Sequence, residues 1–330
     1  MSNRRHWRYL LACSAVLVLA FALRTWHLGT ESIWHDEAWS IRAIHGPFTT
    51  PDDNTPFLYY LSGHILWRLG GGDTPLALRY ISVLWGVLTV AVALWVGRRW
   101  LGRGAGLAFG VLVATSPLLW EYAQEVRAYV VVPLIALLLL ALADRLLRYE
   151  RATVPRRLWT LIFAVELFGV YTHNLAVPLI VWINAALGIV WLLRRDWRRM
   201  LTWSAVQISL IVAYVPWLLT QSPSGTPLNT PPQPQLSLIR DIWYSYFLPA
   251  LTQFEQAVAA TGAGADLLPF LNVLGVCIVI GGVLFVGIQR RGDQRLWLLA
   301  SHAIGVPIFT TALMLAANID FHPRYVIAAV

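Results

Sequence analysis

Long apolar segments recur along almost the whole of this 330-residue sequence, and they constrain its fold more than any other feature. Each is roughly 20 residues long, which is the length that an α-helix needs to cross the hydrocarbon core of a membrane. They cover residues 9–27, 76–96, 104–120, 129–147, 158–172, 175–193, 200–219, 267–288 and 296–316. Hydrophobic residues make up 58% of the chain and charged residues 13%, which a single soluble core cannot accommodate. The sequence therefore predicts an all-α, polytopic membrane protein with about nine transmembrane helices.

A tenth apolar run begins at Tyr325 and is cut off at Val330, where the sequence stops. A natural C-terminus rarely falls at the start of a membrane span. We therefore expect residues 1–330 to form a single transmembrane domain that is incomplete at its C-terminus.

The arginines predict how the chain is oriented. All 25 basic residues are arginine, and 18 of them lie in alternate short loops, as retained cytoplasmic charges do. These 18 are Arg4, Arg5, Arg8, Arg98, Arg99, Arg103, Arg145, Arg148, Arg151, Arg156, Arg157, Arg194, Arg195, Arg198, Arg199, Arg290, Arg291 and Arg295. The pattern predicts a multi-pass protein of the bacterial inner membrane with a cytoplasmic N-terminus. Because the arginines are dispersed over these loops, the net charge of +8 does not indicate a nucleic-acid partner.

The opposite, outer side carries most of the acidic residues and two long loops, 28–75 and 220–266. In the first loop we expect a short helix over 38–44 and an apolar helix over 57–68 that lies at the membrane interface, because it is too short to span. In the second we expect an interfacial helix over 236–254. Every unusual polar cluster of the sequence falls on this side, so an outer active site is predicted.

The cluster Trp34-His35-Asp36-Glu37 lies a few residues after the first apolar segment. Adjacent carboxylates are costly to hold near lipid and therefore indicate a function. Asp36 is the first candidate for a general base, and Glu37 is the second, with a supporting role.

A second cluster, residues 121–129, follows the third apolar segment. Helical spacing would place Glu121, Gln124, Glu125 and Ala128 along one side. One interpretation is a solvated cap whose charges pair with each other. The other is that Arg127 binds a phosphate and Glu125 holds the arginine in place.

Two smaller outer clusters contain His173, in the turn 172–174, and Arg324, near the end of the ninth segment. His173 is a structural residue or a ligand, and Arg324 is an interface anchor or a partner of an anionic head group; the sequence leaves both pairs of alternatives open. The sequence contains neither a phosphate-binding glycine loop nor zinc-ligand spacing. Carboxylates near Asp36 would suit Mg²⁺ or Mn²⁺, but nothing in the sequence requires a metal or another cofactor.

The polar clusters and their neighbours resemble the motifs of one family. The chain contains Leu23-Arg24, Leu28-Gly29, Ser32, Trp34 and Asp36-Glu37-Ala38; Pro56-Phe57-Leu58-Tyr59-Tyr60-Leu61; Ala77-Leu78-Arg79, Gly86 and Leu88-Thr89-Val90; Gly97-Arg98-Arg99, Gly102-Arg103 and Ala105-Gly106; Ser116-Pro117, Tyr122, Gln124-Glu125, Arg127 and Tyr129; Tyr171-Thr172-His173; and Pro323-Arg324-Tyr325. In this order they are similar to bacterial membrane glycosyltransferases related to protein O-mannosyltransferases and lipid A aminoarabinose transferases. The resemblance is strong over residues 23–175 and looser afterwards.

The resemblance implies the GT-C fold and transfer of a sugar, with inversion, from a polyprenyl phosphate donor to an acceptor hydroxyl on a lipid, glycan or protein. It implies Asp36 and Glu37 as catalytic residues. The donor phosphate would be bound by Arg127, Glu125, Gln124, His173 and Arg324, and the cavity would be lined by Trp34, His35, Asn54, Tyr59, Tyr60 and Tyr122. The family often has His-Pro-Pro where this chain has Asn54-Thr55-Pro56; if that histidine contacts the substrate in relatives, Asn54 or Thr55 must act differently here.

A lipid or solute transporter is the main alternative, because it would also have many spans and polar groups. Transporters concentrate charges and broken helices near the membrane midplane, often in repeated halves. Only Glu166 lies deep in a predicted span here, and the sequence shows no internal repeat. The pattern therefore favours a transferase.

Overall fold

The computed structural model of the chain describes residues 2–46, 48, 55–149, 153–220, 293–316 and 327. The chain forms two compact units, Met1–Thr226 and Pro227–Val330. Throughout the described residues the regular structure is helical, with no β-strand.

The first unit contains ten α-helices within its described part, and two short helical turns of other types. The α-helices are α1 (Ser2–Thr25), α2 (His35–His45), α3 (Leu58–Leu66), α4 (Pro75–Leu101), α5 (Arg103–Thr115), α6 (Pro117–Glu121), α7 (Val132–Leu147), α8 (Arg156–Val170), α9 (Ala176–Leu193) and α10 (Trp197–Thr220). A π-helical turn, Trp67–Gly71, follows α3, and a 3₁₀ turn, Ala128–Val131, precedes α7. In the second unit the structure describes α11 (Gln294–Ala316).

Five helices of the described part of the chain are long and apolar enough to cross a membrane. They cover Arg4–Thr25, Pro75–Leu101, Ala128–Leu147, Ala176–Leu193 and Trp197–Thr220. Every apolar segment predicted from the sequence is mainly helical where the structure describes it, while segment 267–288 lies outside the described residues. The predicted all-α membrane architecture is thus confirmed.

The segment predicted as one helix over 104–120 is two helices. Helix α5 ends at Thr115, and α6 begins at Pro117 after a break at Ser116. Proline lacks an amide hydrogen and fits the first helical position, so it starts a new helix more readily than it continues one.

Helix α4 is the central element of the part of the fold that positions the polar clusters. The Thr74 hydroxyl accepts a hydrogen bond from the Ala77 amide at 3.2 Å, and Pro75 occupies the first turn, so both residues favour a helix start here. At its far end α4 packs closely against α5, because a Cβ on Gly106 would overlap the backbone of Gly97. The first turn of α4 therefore lies at the opposite end of the bundle from Arg98, Arg99 and Arg103, where α4 ends and α5 begins.

Contacts between segments of the first unit join ends that the sequence predicts to lie on the same side of the membrane. The Leu58 amide donates to the Tyr171 carbonyl at 3.0 Å, joining the start of α3 to the end of α8. At the other end, the Arg98 guanidinium lies 5.1 Å from the ring centroid of Tyr9 in α1. Both contacts agree with the alternation of the segments across the membrane that the sequence predicts.

Arg24 and Gly86, two motif residues that are far apart in sequence, lie against each other in the structure. Its side chain is buried and donates to the carbonyls of Ala20 at 3.2 Å and of Ala114 at 2.9 Å. Ala114 is in the last turn of α5, where a cation complements the helix dipole. Gly86 leaves the space, because a Cβ there would lie 2.7 Å from the Arg24 Nε.

Glu166, the deep carboxylate of α8, belongs to a polar network between three helices. Its oxygens accept from the side-chain amides of Asn184 at 2.6 Å and Gln207 at 3.0 Å. The Asn184 carbonyl in turn accepts from the Trp203 indole at 2.6 Å. Glu166 therefore has polar partners within the bundle, as an acidic group in a membrane span requires.

The first loop, residues 26–74, contains the two helices predicted there. The helix predicted over 38–44 is the longer α2, and the helix predicted over 57–68 is α3 with its π-helical turn. Their position at the membrane interface stays a prediction. The interfacial helix predicted over 236–254 and the tenth segment lie outside the described residues, Ile327 aside.

Candidate active site

Asp36 and Glu37 are neighbours in the first turn of α2, but they have different surroundings. The Glu37 side chain is fully buried, whereas 28% of the Asp36 side chain is exposed. Only Asp36 can therefore meet a molecule that enters from solvent or lipid without a rearrangement of the protein.

The Glu37 carboxylate accepts four hydrogen bonds. Two come from the Arg79 guanidinium, at 2.8 Å from Nε and 2.7 Å from Nη2. The Val126 amide donates a third at 2.9 Å, and the Trp34 amide donates a longer one at 3.4 Å. The last contact satisfies a free amide at the N-terminus of α2, as an acidic residue at the third helical position often does. Glu37 thus joins α2, α4 and the segment before α7.

Arg79 was not among the predicted site residues, although it lies inside an apolar segment. Besides the ion pair with Glu37, its guanidinium donates to the carbonyls of Leu28 at 3.0 Å, Glu31 at 3.1 Å and Ser32 at 3.1 Å. All five of its N–H groups are therefore used. The available signal was its charge, because a charged residue in a span needs a named partner.

Arg127 lies beside Asp36, as the prediction of a shared site requires. Its Nη2 is 3.8 Å from the Asp36 Oδ2, and its Nη1 donates to the Asp36 backbone carbonyl at 3.1 Å and to the Ser40 hydroxyl at 3.3 Å. The guanidinium also lies 5.4 Å from the centre of the Tyr129 ring. The arginine is thus held against the N-terminal half of α2, with its charge next to the accessible carboxylate.

The segment that carries Arg127 is not helical, contrary to the expectation that helical spacing would align Glu121, Gln124, Glu125 and Ala128. Helix α6 ends at Glu121, and residues 122–127 form turns and bends before the 3₁₀ turn. Amide groups of a non-helical segment are free to bond side chains, and the Val126 amide uses this freedom to reach Glu37.

His173 and Tyr122 both pack against the ring of Tyr129. The Tyr129 ring centroid lies 4.4 Å from that of His173 and 5.7 Å from that of Tyr122, and all three side chains are buried. The Leu175 amide donates to the His173 Nδ1 at 2.9 Å, so the neutral ring carries its hydrogen on Nε2. The donor atom of the His173 ring is therefore Nε2.

Tyr59 and Tyr60 are both buried in α3. The Ser82 hydroxyl donates to the Glu125 carbonyl, so the Tyr59 hydroxyl must donate to Ser82, at 2.6 Å. Burial raises the pKa of the Tyr59 phenol well above its ordinary value, which keeps it a neutral donor. These two hydrogen bonds, from Tyr59 to Ser82 and from Ser82 to the Glu125 carbonyl, link α3, α4 and the segment 122–127.

Two of the other predicted residues, Gln124 and His35, contact neighbouring protein groups, and a third, Trp34, is partly exposed. The Gln124 side-chain amide donates to carbonyls at the end of α1, at 2.7 Å to Trp26 and 3.2 Å to Arg24. His35 is exposed, and its Nε2 accepts from the Trp39 indole at 3.0 Å. Trp34, which precedes α2, is 38% exposed and therefore presents part of its indole to whatever surrounds the first loop.

Asn54 and Arg324 lie outside the described residues. Among the residues that are described, no three His, Cys, Asp or Glu side chains are grouped closely enough to hold a metal ion. The structure brings together Asp36, Glu37, Arg127, Tyr122 and His173, with Arg79, Ser40, Ser82 and Tyr129 as the residues added to the predicted set.

This arrangement can perform general acid–base chemistry next to an anion. A carboxylate that is partly exposed can take a proton, and a guanidinium close to it can stabilise the negative charge of a phosphate. Both groups belong to short segments that the buried Glu37 joins.

Comparison with solved structures identifies the fold. The chain is similar to the crystal structure of ArnT from Cupriavidus metallidurans bound to undecaprenyl phosphate, with a TM-score of 0.59 and 17% identity over 97% of this chain and 57% of that one. It is similar to ArnT from the same organism in the apo state, with a TM-score of 0.60 and 16% identity over 99% of this chain and 58% of that one. The chain thus spans less than two thirds of the length of these proteins. No protein-family model and no curated protein matches the sequence.

The structural similarity covers nearly the whole chain, and the helical architecture and the ordered motifs agree with it. At this level of identity it establishes the fold. The prediction made from the motifs is confirmed: this chain has the GT-C fold of membrane glycosyltransferases.

Proposed function

We propose that this protein is an inverting glycosyltransferase that moves a sugar from a polyprenyl phosphate to an acceptor hydroxyl. The observation that carries the proposal is the placement of Asp36, a partly exposed carboxylate, 3.8 Å from the Arg127 guanidinium. The ArnT structure with bound undecaprenyl phosphate supports a lipid phosphate as the donor class.

In the proposed reaction the acceptor oxygen attacks the anomeric carbon of the donor from the face opposite the phosphate. Asp36 takes the proton of the acceptor hydroxyl as the new C–O bond forms. The bond between the anomeric carbon and the phosphate oxygen breaks, and its electron pair leaves with the polyprenyl phosphate. Arg127 stabilises the negative charge that develops on the leaving phosphate. The Nε2–H group of His173 is a second hydrogen-bond donor to that phosphate. The reaction needs neither a metal nor another cofactor.

The proposed setting is the bacterial inner membrane, with the site on the periplasmic or extracellular side. The dispersal of 18 arginines over loops on the other side supports this orientation. The donor would arrive through the membrane, and the acceptor would be a lipid, a glycan or a protein.

Arg127→Ala tests the proposed donor site. We expect the variant to bind undecaprenyl phosphate about tenfold to a hundredfold more weakly, because it loses charged hydrogen bonds to the phosphate. The measurement is a lipid titration of the purified protein in nanodiscs, followed by intrinsic tryptophan fluorescence.

Arg42→Ala is the matched control, because Arg42 is an exposed arginine of α2, the helix against which Arg127 lies. We expect this variant to bind the lipid as the unchanged protein does. Equal affinities for the unchanged protein and Arg127→Ala would contradict a donor phosphate at Arg127.

A further inference from the structure

The buried ion pair of Arg79 and Glu37 makes more contacts than two charges need to neutralise each other. Arg79 uses three donor atoms on two Glu37 oxygens and three loop carbonyls, and Glu37 accepts from two further backbone amides. Such pairs often add little net stability compared with apolar residues of the same volume, because both charges lose their hydration. Net stabilisation of the fold therefore does not by itself account for the buried pair of Arg79 and Glu37.

The pair joins the two chain segments that carry the proposed reacting groups. Glu37 directly follows Asp36 in the chain, and Val126, whose amide donates to Glu37 at 2.9 Å, directly precedes Arg127. One buried carboxylate thus sets how far apart the backbones of Asp36 and Arg127 lie.

The same helix face holds the Arg127 segment at a second point. Ser82 lies one turn after Arg79 on α4, and its hydroxyl donates to the carbonyl of Glu125, two residues before Arg127. Helix α4 therefore holds this segment through the Ser82 contact and holds α2 through Arg79 and Glu37.

The Arg127 side chain depends on this alignment. Its Nη1 bonds the Asp36 carbonyl at 3.1 Å and the Ser40 hydroxyl at 3.3 Å, which are both groups of α2. If α2 shifted along the segment 122–127, Arg127 would lose both contacts and its guanidinium would turn away from Asp36.

We propose that Arg79 and Glu37 are positioning residues, which hold Arg127 in the orientation that binds the donor phosphate beside Asp36. The proposal rests on the proposed function, because it assigns the pair a role in that site. Under this proposal, the affinity for a lipid phosphate depends on two buried residues that do not contact the phosphate.

Glu37→Gln is the main test. Glutamine keeps the size of the side chain and an oxygen for the Val126 amide, but it loses the charge that holds Arg79. We expect about tenfold weaker binding of undecaprenyl phosphate by the folded protein, since contacts that orient a charged hydrogen bond are lost. Arg79→Lys is the second variant, because lysine keeps a cation opposite Glu37 but cannot make the five bonds of the guanidinium. It decides the matter if Glu37→Gln yields no folded protein.

Glu166→Gln provides the matched control, since Glu166 is an equally buried carboxylate with hydrogen-bonded partners elsewhere in the bundle. A merely stabilising role predicts lower unfolding temperatures for both glutamine variants and an unchanged lipid affinity of the folded fraction. A positioning role predicts weaker binding for Glu37→Gln alone. It also predicts that Glu37→Gln causes no further loss when Arg127 is already alanine.

The outcomes separate this inference from the proposed function. If Arg127→Ala weakens binding and both Glu37→Gln and Arg79→Lys bind the lipid normally, the positioning role is wrong and the donor site stands. If Arg127→Ala binds as the unchanged protein does, the donor site itself is wrong, and the positioning role falls with it.

Discussion

Asp36→Asn is expected to fold normally and bind undecaprenyl phosphate, but to transfer sugar about 10²-fold to 10⁴-fold more slowly, which is the usual contribution of a general base. Asparagine has nearly the same shape as aspartate, but it cannot take a proton from the acceptor hydroxyl. The side chain is 28% exposed, and Arg127 is also bonded to the backbone carbonyl of residue 36, so the substitution removes the charge opposite Arg127 but keeps that hydrogen bond. The measurement is turnover with a panel of synthetic undecaprenyl phosphate hexoses and pentoses, together with a thermal unfolding curve.

Glu31→Gln is the control for this variant. Glu31 is an exposed acid of the same loop, and it contacts Arg79 through its backbone carbonyl, which the substitution keeps. We expect turnover close to that of the unchanged protein. Near-normal turnover by Asp36→Asn would remove Asp36 as the base.

Arg79→Ala is expected to lower the free energy of unfolding by about 3–5 kcal/mol, the cost of leaving one partner of a buried ion pair without the other. The Glu37 carboxylate would remain buried with two amide donors, and three loop carbonyls would lose their hydrogen bonds. The start of the first loop and the first turn of α2 would lose their hydrogen bonds to α4. Denaturant unfolding of the detergent-solubilised protein measures the change.

Arg99→Ala, on the same helix, separates this effect from a general loss of charge. Arg99 is exposed near the end of α4, where the substitution leaves no buried group unpaired. We expect a change of at most about 0.5 kcal/mol, which is typical of surface positions. Equal stabilities of the two variants would mean that the Arg79 contacts do not hold the fold together.

Much of the fold follows from the apolar segments alone. Hydrophobic length decides where a chain can cross a membrane, so helices such as α9 and α10 have nearly the bounds that the sequence predicts. The break between α5 and α6 was missed because hydropathy continues through it. Ser116 and Pro117 carried the signal, which concerns the backbone and not the polarity of the side chains.

The site was predicted less completely, because its geometry depends on contacts between distant parts of the chain. The adjacent pair Asp36 and Glu37 marks a functional place, yet which carboxylate is buried depends on Arg79, 42 residues later, and on the backbone of Val126, 89 residues later. A backbone amide has no signal in the sequence. Gln124 shows the same limit: it was expected to bind the donor phosphate, and its amide contacts the end of α1.

A structure of the protein with undecaprenyl phosphate bound tests the central claim most directly. We predict that the lipid phosphate lies within hydrogen-bond distance of the Arg127 guanidinium, next to Asp36, with Glu37 still paired to Arg79. A lipid phosphate bound at another end of the bundle, with Asp36 and Arg127 facing neither lipid nor acceptor, would contradict the proposed glycosyltransferase site.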